Sequence, residues 1–405
     1  MVFIVKVKRV EQHNIKLNTE FGKLIDEYCL KSKNLYNYAN YIVRQEFINN
    51  NKWIRYNELF DTVKDSEPYK DIGSNTGQAT LRMLDSTWKS FFEGMKEWKK
   101  NPSKYFGMPQ LPKYKKKDGR FILSLDSNKV KLIDGYVYFS WKPFKKFNNL
   151  FKTNAKERIL QCRFVPKRSH YVMEIVYEIE PSNHTKNPER IASIDLGVDN
   201  FVTMVNNIGI TPIIIKGGII KSINQYYNKH LSRLQKELKN INDMIWSKKM
   251  QSLTDKRHEK IKYQMHCVSK YIIDWCSTND IGSLIIGHNN KWKDGKKHMQ
   301  NFTYIPYNLF IDMVKYKGEN AGIDVIVVDE AYTSGTSFID KEGPNKDSYD
   351  KSRRIHRGLF VSNSGKEINA DVNAAYQIMK KVFPNVFPDG IEGVGLHPMT
   401  IKHIA

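Results

Sequence analysis

Residues 190–218 read RIASIDLGVDNFVTMVNNIGITPIIIKGG. Apolar, β-branched runs broken by Gly, Asn and Pro predict three strands joined by tight turns. Asp195 lies inside the first of them, in SIDLGVDN. A carboxylate in a buried strand is costly unless it is paired or bound to a metal, and Gly197 allows a sharp turn just after it. Downstream come a long basic helical pair over about 219–276 and a buried strand, IGSLIIGHNN, at 281–290. A helix, YNLFIDMVKYKGENAG, ends on Gly322, the strand DVIVVDE follows at 324–330, and NADVNAAYQIMKKVF closes the chain as a helix. A three-strand meander, then βα units and a closing helix, is the order of an RNase H-like α/β domain.

Upstream the pattern changes twice. MVFIVKVKRV alternates apolar and basic residues, as a strand with one wet face does. From about 19 to 100 the apolar spacing is helical, with Leu81, Leu84, Trp88 and Phe91 on one face, and predicts about four helices. Tyr36, Tyr38 and Tyr41 read as core or interface aromatics, with base stacking the lesser role. KYFGMPQLPKYKKKDGRF then breaks the helix with two prolines and adds a basic cluster. Short alternating strands return over FILSLDSNKVKLIDGYVYFSWKPF and ILQCRFVPKRSHYVMEIVYEIE, as in a small β-barrel carrying the helices as an insertion.

A chain of 405 residues exceeds the roughly 250 to 300 at which single cores stop growing, so several modules are expected. Lys and Arg number 65 against 43 Asp and Glu, and a net charge of +22 favours a polyanionic partner, nucleic acid first. No apolar run approaches the roughly 18 residues of a membrane span, and the N-terminus is no signal sequence. A soluble, intracellular protein is expected, with no membrane partner. Cys29, Cys162, Cys267 and Cys276 are scattered without C-x-x-C spacing and read as inert thiols.

Asp371, in NADVNAAY, opens the last helix, where it could simply cap the helix or complement its dipole. Taken with Asp195 on one α/β domain it suggests a divalent-metal site. A two-metal phosphodiesterase needs carboxylates from several elements, and hard oxygen ligands suit Mg²⁺ or Mn²⁺.

SIDLGVDN, the TS of YTS and NADVNAA, in this order after a barrel with a helical insertion, resemble TnpB, the RNA-guided nuclease of bacterial insertion sequences. QATLRMLD with WKSFF, and FGMPQLPKYK, extend the likeness over essentially the whole chain. The resemblance implies an α/β multidomain protein. It comprises a wedge β-barrel (1–15 and 103–188), a helical recognition domain (16–102) and a RuvC nuclease domain of RNase H-like fold (189–332 and 365–405). A degenerate zinc-ribbon-like loop for the target nucleic acid (333–364) completes it. Asp195 and Asp371 match the family's first and third catalytic carboxylates.

The usual middle glutamate ends the strand corresponding to SLIIG, where this chain has Gly287 followed by His288 and Asn289. Glu330 ends the next strand, and a neighbouring parallel strand lies only about 4.8 Å away. The arrangement resembles TnpB relatives and Fanzor proteins whose glutamate has moved to just before the TS motif, which implies Asp195, Glu330 and Asp371 as catalytic and metal-ligating residues around two Mg²⁺ or Mn²⁺ ions. Asp329 is assigned to the opposite face. The second departure is the zinc site. The family's two C-x-x-C pairs correspond to Ser337 with Asp340 and Val361 with Ser364, so four-cysteine zinc is impossible and no structural zinc is expected. Packing, hydrogen bonds or the nucleic acid itself must hold that loop.

The resemblance further implies a guide RNA from the transposon end, a target double-stranded DNA beside a short adjacent motif, and cleavage of both strands by one site in a monomeric protein of the bacterial cytoplasm. Base pairing would supply the specificity. Gln78 matches the glutamine of the motif-reading helix. Lys113, Lys115, Lys116, Arg163, Lys167, Arg168, Arg353, Arg354 and Arg357 are the candidate nucleic-acid contacts, with solvated charge as their ordinary reading. A cleavage-inactive guide-dependent repressor and a compact type V CRISPR effector are the competing functions.

Overall fold

The computed structural model describes residues 6–181, 186–241, 246–288, 304–356, 358–387 and 394–404. The chain divides into two compact units, Met1–Glu180 and Pro181–Ala405.

In the first unit, β1 (Val7–Lys16) leads into four helices, α1 (Glu20–Asn50), α2 (Tyr56–Val63), α3 (Glu67–Ile72) and α4 (Ser74–Lys100). The strands β2 (Leu123–Asp126), β3 (Val130–Ile133), β4 (Tyr136–Phe139), β5 (Ile159–Pro166) and β6 (His170–Ile179) follow. Thr19 starts α1 by accepting the Gly22 N–H on its hydroxyl. Leu81, Leu84 and Trp88 of α4 are fully buried, with Phe91 packed beside them. Tyr36 is also core, whereas Tyr38 and Tyr41 stay exposed. The strands form an antiparallel sheet in the order β1-β6-β5-β2 and a separate β3–β4 ribbon. Among the described residues, then, the expected barrel is an open sheet plus a hairpin as far as hydrogen bonding goes.

The second unit holds β7 (Asn187–Leu196), β8 (Asn200–Asn206), β9 (Ile213–Lys216), α5 (Gly218–Ile241), α6 (Lys248–Thr278), β10 (Ile281–Gly287), α7 (Tyr307–Ala321) and β11 (Asp324–Val328). The short ribbon β12 (Phe360–Val361) and β13 (Glu367–Ile368), the helix α8 (Ala370–Val382) and β14 (Met399–Ile401) complete it. Its sheet runs β11-β10-β7-β8-β9-β14. Strands β7, β8 and β9 pair antiparallel, while β10, β11 and β14 join in parallel. Helices α6 and α7 cover one face, and α8 the other.

Side chains alternate across a strand, so one face of β7 and β10 sends Ala192, Ile194, Leu196, Leu284 and Ile286 into the α6–α7 core. The other sends Ile191 and Ile285 toward α8, where the Ser193 hydroxyl donates to the Ala375 carbonyl at 2.6 Å. Period two therefore carries Asp195 to the α8 side, at the C-terminal end of its strand. None of the helices among the described residues is long and apolar enough to cross a membrane.

Candidate active site

Asp195, Glu330 and Asp371 come from β7, the turn after β11 and the first turn of α8, and line one pocket of about 910 Å³. Asp195 loses water at the pocket wall and faces Asp371 and Glu330, so its carboxyl is raised well above the usual range, with Arg354 opposing the rise. Burial, and then Asp329, push Glu330 up to about 7, with Lys381 pulling it down.

Asp371 is not the helix cap. Asn369 fills that role, its side chain accepting from the Asp371 and Val372 N–H groups at 3.0 and 3.2 Å. The Asp371 carboxylate is thereby left to the pocket, where it accepts from Arg354 at 2.9 Å and from Asn200 Nδ2 at 2.5 Å. Lys216 Nζ in turn donates to Asn200 Oδ1 at 2.6 Å. Asn200 is the last residue of SIDLGVDN, and sequence reading passed over it.

Position 287 has no room for a longer side chain. Gly287 pairs with Val328 across the parallel strands. A Cβ on Gly287 would lie 2.4 Å from Ile378 Cδ1 and 3.4 Å from Glu330 Cβ. Side chains from 287 and 330 thus aim into the same space, and Ile378 of α8 fills what a longer residue at 287 would need. The strand also ends earlier than DVIVVDE suggests, at Val328. Asp329 turns its carboxylate back to accept the Ala331 N–H at 3.1 Å. Thr333 donates to the Glu330 carbonyl through both N–H and hydroxyl, at 3.3 and 2.8 Å. This turn aims Glu330 into the pocket and leaves Asp329 exposed.

The donor chemistry, three carboxylates with one strongly desolvated, fits a hard divalent ion. Among the described residues, no three His, Cys, Asp or Glu side chains stand close enough together to hold an ion as placed. Asp371 is meanwhile held by Arg354 and Asn200.

The segment without cysteines is organised by Arg353. Its side chain is only 11% exposed and pairs with Glu342 at 2.7 Å, with Asp340 at 3.7 Å. It also donates to the Gly335 and Ser348 carbonyls, both at 3.0 Å. Glu342 accepts the Ser337 N–H at 2.7 Å, and Asp340 accepts the Asn363 N–H at 2.8 Å, which ties residues 337–340 to residues 361–364. Asn373 of α8 fastens the segment by accepting from Phe338 N at 2.9 Å and donating to the Thr336 carbonyl at 2.8 Å.

The candidate nucleic-acid contacts differ in their immediate surroundings. Arg353 is an internal tie, because both terminal nitrogens of its guanidinium are taken by acids and carbonyls. Arg163 pairs across the sheet with Glu174 at 2.7 Å, and Lys115 lies over the rings of Tyr36 and Phe121 at 4.7 and 5.0 Å. Lys113, Lys116, Lys167 and Arg168 are exposed. Gln78 is half-buried on α4 and accepts from Arg82 at 3.4 Å. Only Arg354 lines the acidic pocket, and Arg357 falls outside the described residues.

Residues 174–293 match the OrfB family of IS605, described as "Probable transposase", and residues 307–378 match the Cas12f1-like TNB domain. The chain is 28% identical over 229 residues to the CRISPR-associated endodeoxyribonuclease Cas12f1 of Sulfoacidibacillus thermotolerans, a match covering 54% of this chain and 51% of that protein. It thus spans about half the length of that curated relative. It is 24% identical over 387 residues to the TnpB-like protein ORF457 of Acidianus two-tailed virus, covering 86% and 81%. Among solved structures, a Cas12f1–sgRNA–target DNA complex aligns with a TM-score of 0.59 at 15% identity, over 89% of this chain and 82% of that one. The mini-RNA-guided endonuclease CRISPR-Cas_phi3 aligns at 0.51 and 10% identity, over 98% and 94%. The fold is that of an α/β multidomain nuclease, and the matches together support a TnpB-family protein.

Proposed function

We propose that the protein is an RNA-guided DNA endonuclease of an insertion sequence, hydrolysing both strands of guide-matched DNA beside a short adjacent motif in a RuvC-type site. The observation that carries this reading is the pocket itself: three carboxylates from three separate elements line it, and Gly287 leaves room for the one that has moved. The order β9-β8-β7-β10-β11, three antiparallel strands and then two parallel ones, supports an RNase H-like core.

Asp195, Glu330 and Asp371 would hold two Mg²⁺ or Mn²⁺ ions, which supply an activated water and stabilise the leaving oxygen when bound. The chain's own residues prepare that site. Tyr307 donates its hydroxyl to the Gly197 carbonyl at 3.0 Å and braces the turn after Asp195. Asn200, steadied by Lys216, fixes one oxygen of Asp371, and Arg354 neutralises the other until the site is loaded. The +22 charge fits a guide RNA and a DNA duplex as partners, in the bacterial cytoplasm.

Copurification with RNA from the gene's own flank, sequencing of that RNA, and cleavage of a matched duplex in Mg²⁺ test the reading. Binding of the matched duplex without cleavage would replace it with a guide-dependent repressor. RNA affinity that stays flat as salt rises would contradict the charge argument.

A further inference from the structure

Tyr332 stands two residues after Glu330 with φ of 69°, in the left-handed region that bulky residues avoid. Backbone strain of this kind persists where the surroundings over-determine it, and it clusters at functional sites. Here the surroundings do so. Thr333 folds onto the Glu330 carbonyl on one side of Tyr332, and the Thr336 hydroxyl donates to the Tyr332 carbonyl at 2.9 Å on the other. Lys381 also donates to the Asp329 and Ala331 carbonyls at 2.8 and 3.0 Å.

The strain serves no packing purpose. Tyr332 belongs to neither hydrophobic core of its unit, is 41% exposed as a residue, and lines the acidic pocket. Tyr349 meets it edge to face, with centroids 5.6 Å apart and planes at 78°. Tyr349 is itself seated tightly, since a Cβ on Gly335 would come within 2.5 Å of its ring. Two aromatic rings with fixed planes, wet and beside three acids, form a poor site for an anion but a good one for a flat neutral surface.

We infer that Tyr332 is a positioning residue: its ring, braced by Tyr349, stacks on an unstacked nucleobase of single-stranded DNA next to the phosphate presented to Asp195, Glu330 and Asp371. Stacking tolerates any base sequence because every base has a π face. It would hold a strand at the acidic mouth, where a phosphate contact alone meets repulsion. The inference deepens the nuclease reading and rests on it for the route of the strand.

The test uses the full-length protein with its copurified RNA and single-stranded DNA carrying 2-aminopurine beside the cleavage position. Stacking is read in Ca²⁺ as quenching, and cleavage is read in Mg²⁺. Tyr332→Gly removes the ring and relaxes the left-handed backbone, Tyr332→Asn removes the ring and tolerates that backbone, and Tyr332→Phe keeps the ring. Tyr332→Gly should melt no lower than wild type yet need about ten- to a hundredfold more DNA for half-maximal cleavage, with quenching lost. Tyr332→Asn should behave alike, and Tyr332→Phe should stay within about threefold of wild type. Full quenching and unchanged half-saturation in the Gly and Asn variants would overturn the stacking role alone. A wild-type protein that quenches but cuts no DNA would overturn the nuclease reading and leave the stacking role standing.

Discussion

Arg353→Ala should loosen residues 333–364, among them Thr333, Ser334, Tyr349 and Arg354 on the wall of the acidic pocket. The Arg353 and Glu342 side chains are 11% and 18% exposed, and the guanidinium reaches both Glu342 oxygens at 2.7 and 2.8 Å. Removing one partner of a buried pair leaves an uncompensated charge and costs about 3–5 kcal/mol. Two carbonyls, those of Gly335 and Ser348, lose a donor as well. At 1.4 kcal/mol per factor of ten, local opening should become roughly two to three and a half orders of magnitude more frequent. Trypsin reads this directly, because Lys341, Lys346 and Lys351 are exposed within the segment. The initial cutting rate there should rise by about that factor. Arg353→Met with Glu342→Met should recover most of the resistance, since replacing both charges by apolar groups is close to neutral. Burial pushes the Glu342 carboxyl up, but its bonds from Arg353 and Ser337 hold it below its ordinary value. That depressed pKa makes its stabilisation complete above the unfolded pKa, near 4.5, and lost as pH falls through the lower folded value. Equal trypsin rates in wild type and Arg353→Ala, or wild-type resistance that collapses with a chelator, would refute the claim that an ion-pair network holds this segment.

Burial raises the Glu330 carboxyl to about 7 in the ion-free protein, so Mg²⁺ must compete with a proton there and the half-saturating Mg²⁺ for cleavage should rise about tenfold per pH unit below that value. In the ion-free protein the same raised pKa means that the fold binds a proton the unfolded chain releases. Stability should therefore drop as pH rises from about 4.5 to 7, by up to roughly 3 kcal/mol, and Glu330→Gln should flatten that slope in a thermal melt. Gly287→Glu in wild type should destabilise by about 1–3 kcal/mol through overpacking against Ile378. Combined with Ile378→Ala and Glu330→Gln, it should restore part of the cleavage that Glu330→Gln loses. Arg354→Gln should lower the half-saturating Mg²⁺ for cleavage by about fivefold, because its partly exposed pair with Asp371, on the order of 1 kcal/mol, no longer has to be broken.

What could be read from sequence was what local pattern controls. The end of α7 at Gly322, the burial of Leu81, Leu84 and Trp88, and the meander bearing Asp195 all follow from periodicity and turn residues. So did the vacancy at Gly287, although its cause was hidden: Ile378 is 91 residues away in sequence and meets position 287 only once α8 packs on the sheet. Arg353 read as one more basic residue in a polar loop, because nothing local says that Glu342, Gly335 and Ser348 will converge on it. Asn200 was invisible for the same reason. The left-handed Tyr332 had no signal at all, since an aromatic residue before Thr gives no hint of positive φ. Alternation predicts the strands of the first unit but leaves closure undetermined, and they pair as the sheet β1-β6-β5-β2 beside the β3–β4 ribbon.

The most direct test of the central claim is the single-turnover cleavage rate of a guide-matched duplex in Mg²⁺ by wild type and Glu330→Gln, with duplex affinity measured alongside. A displaced catalytic carboxylate predicts a loss of about 10³-fold or more in rate at unchanged affinity. Equal rates would contradict it.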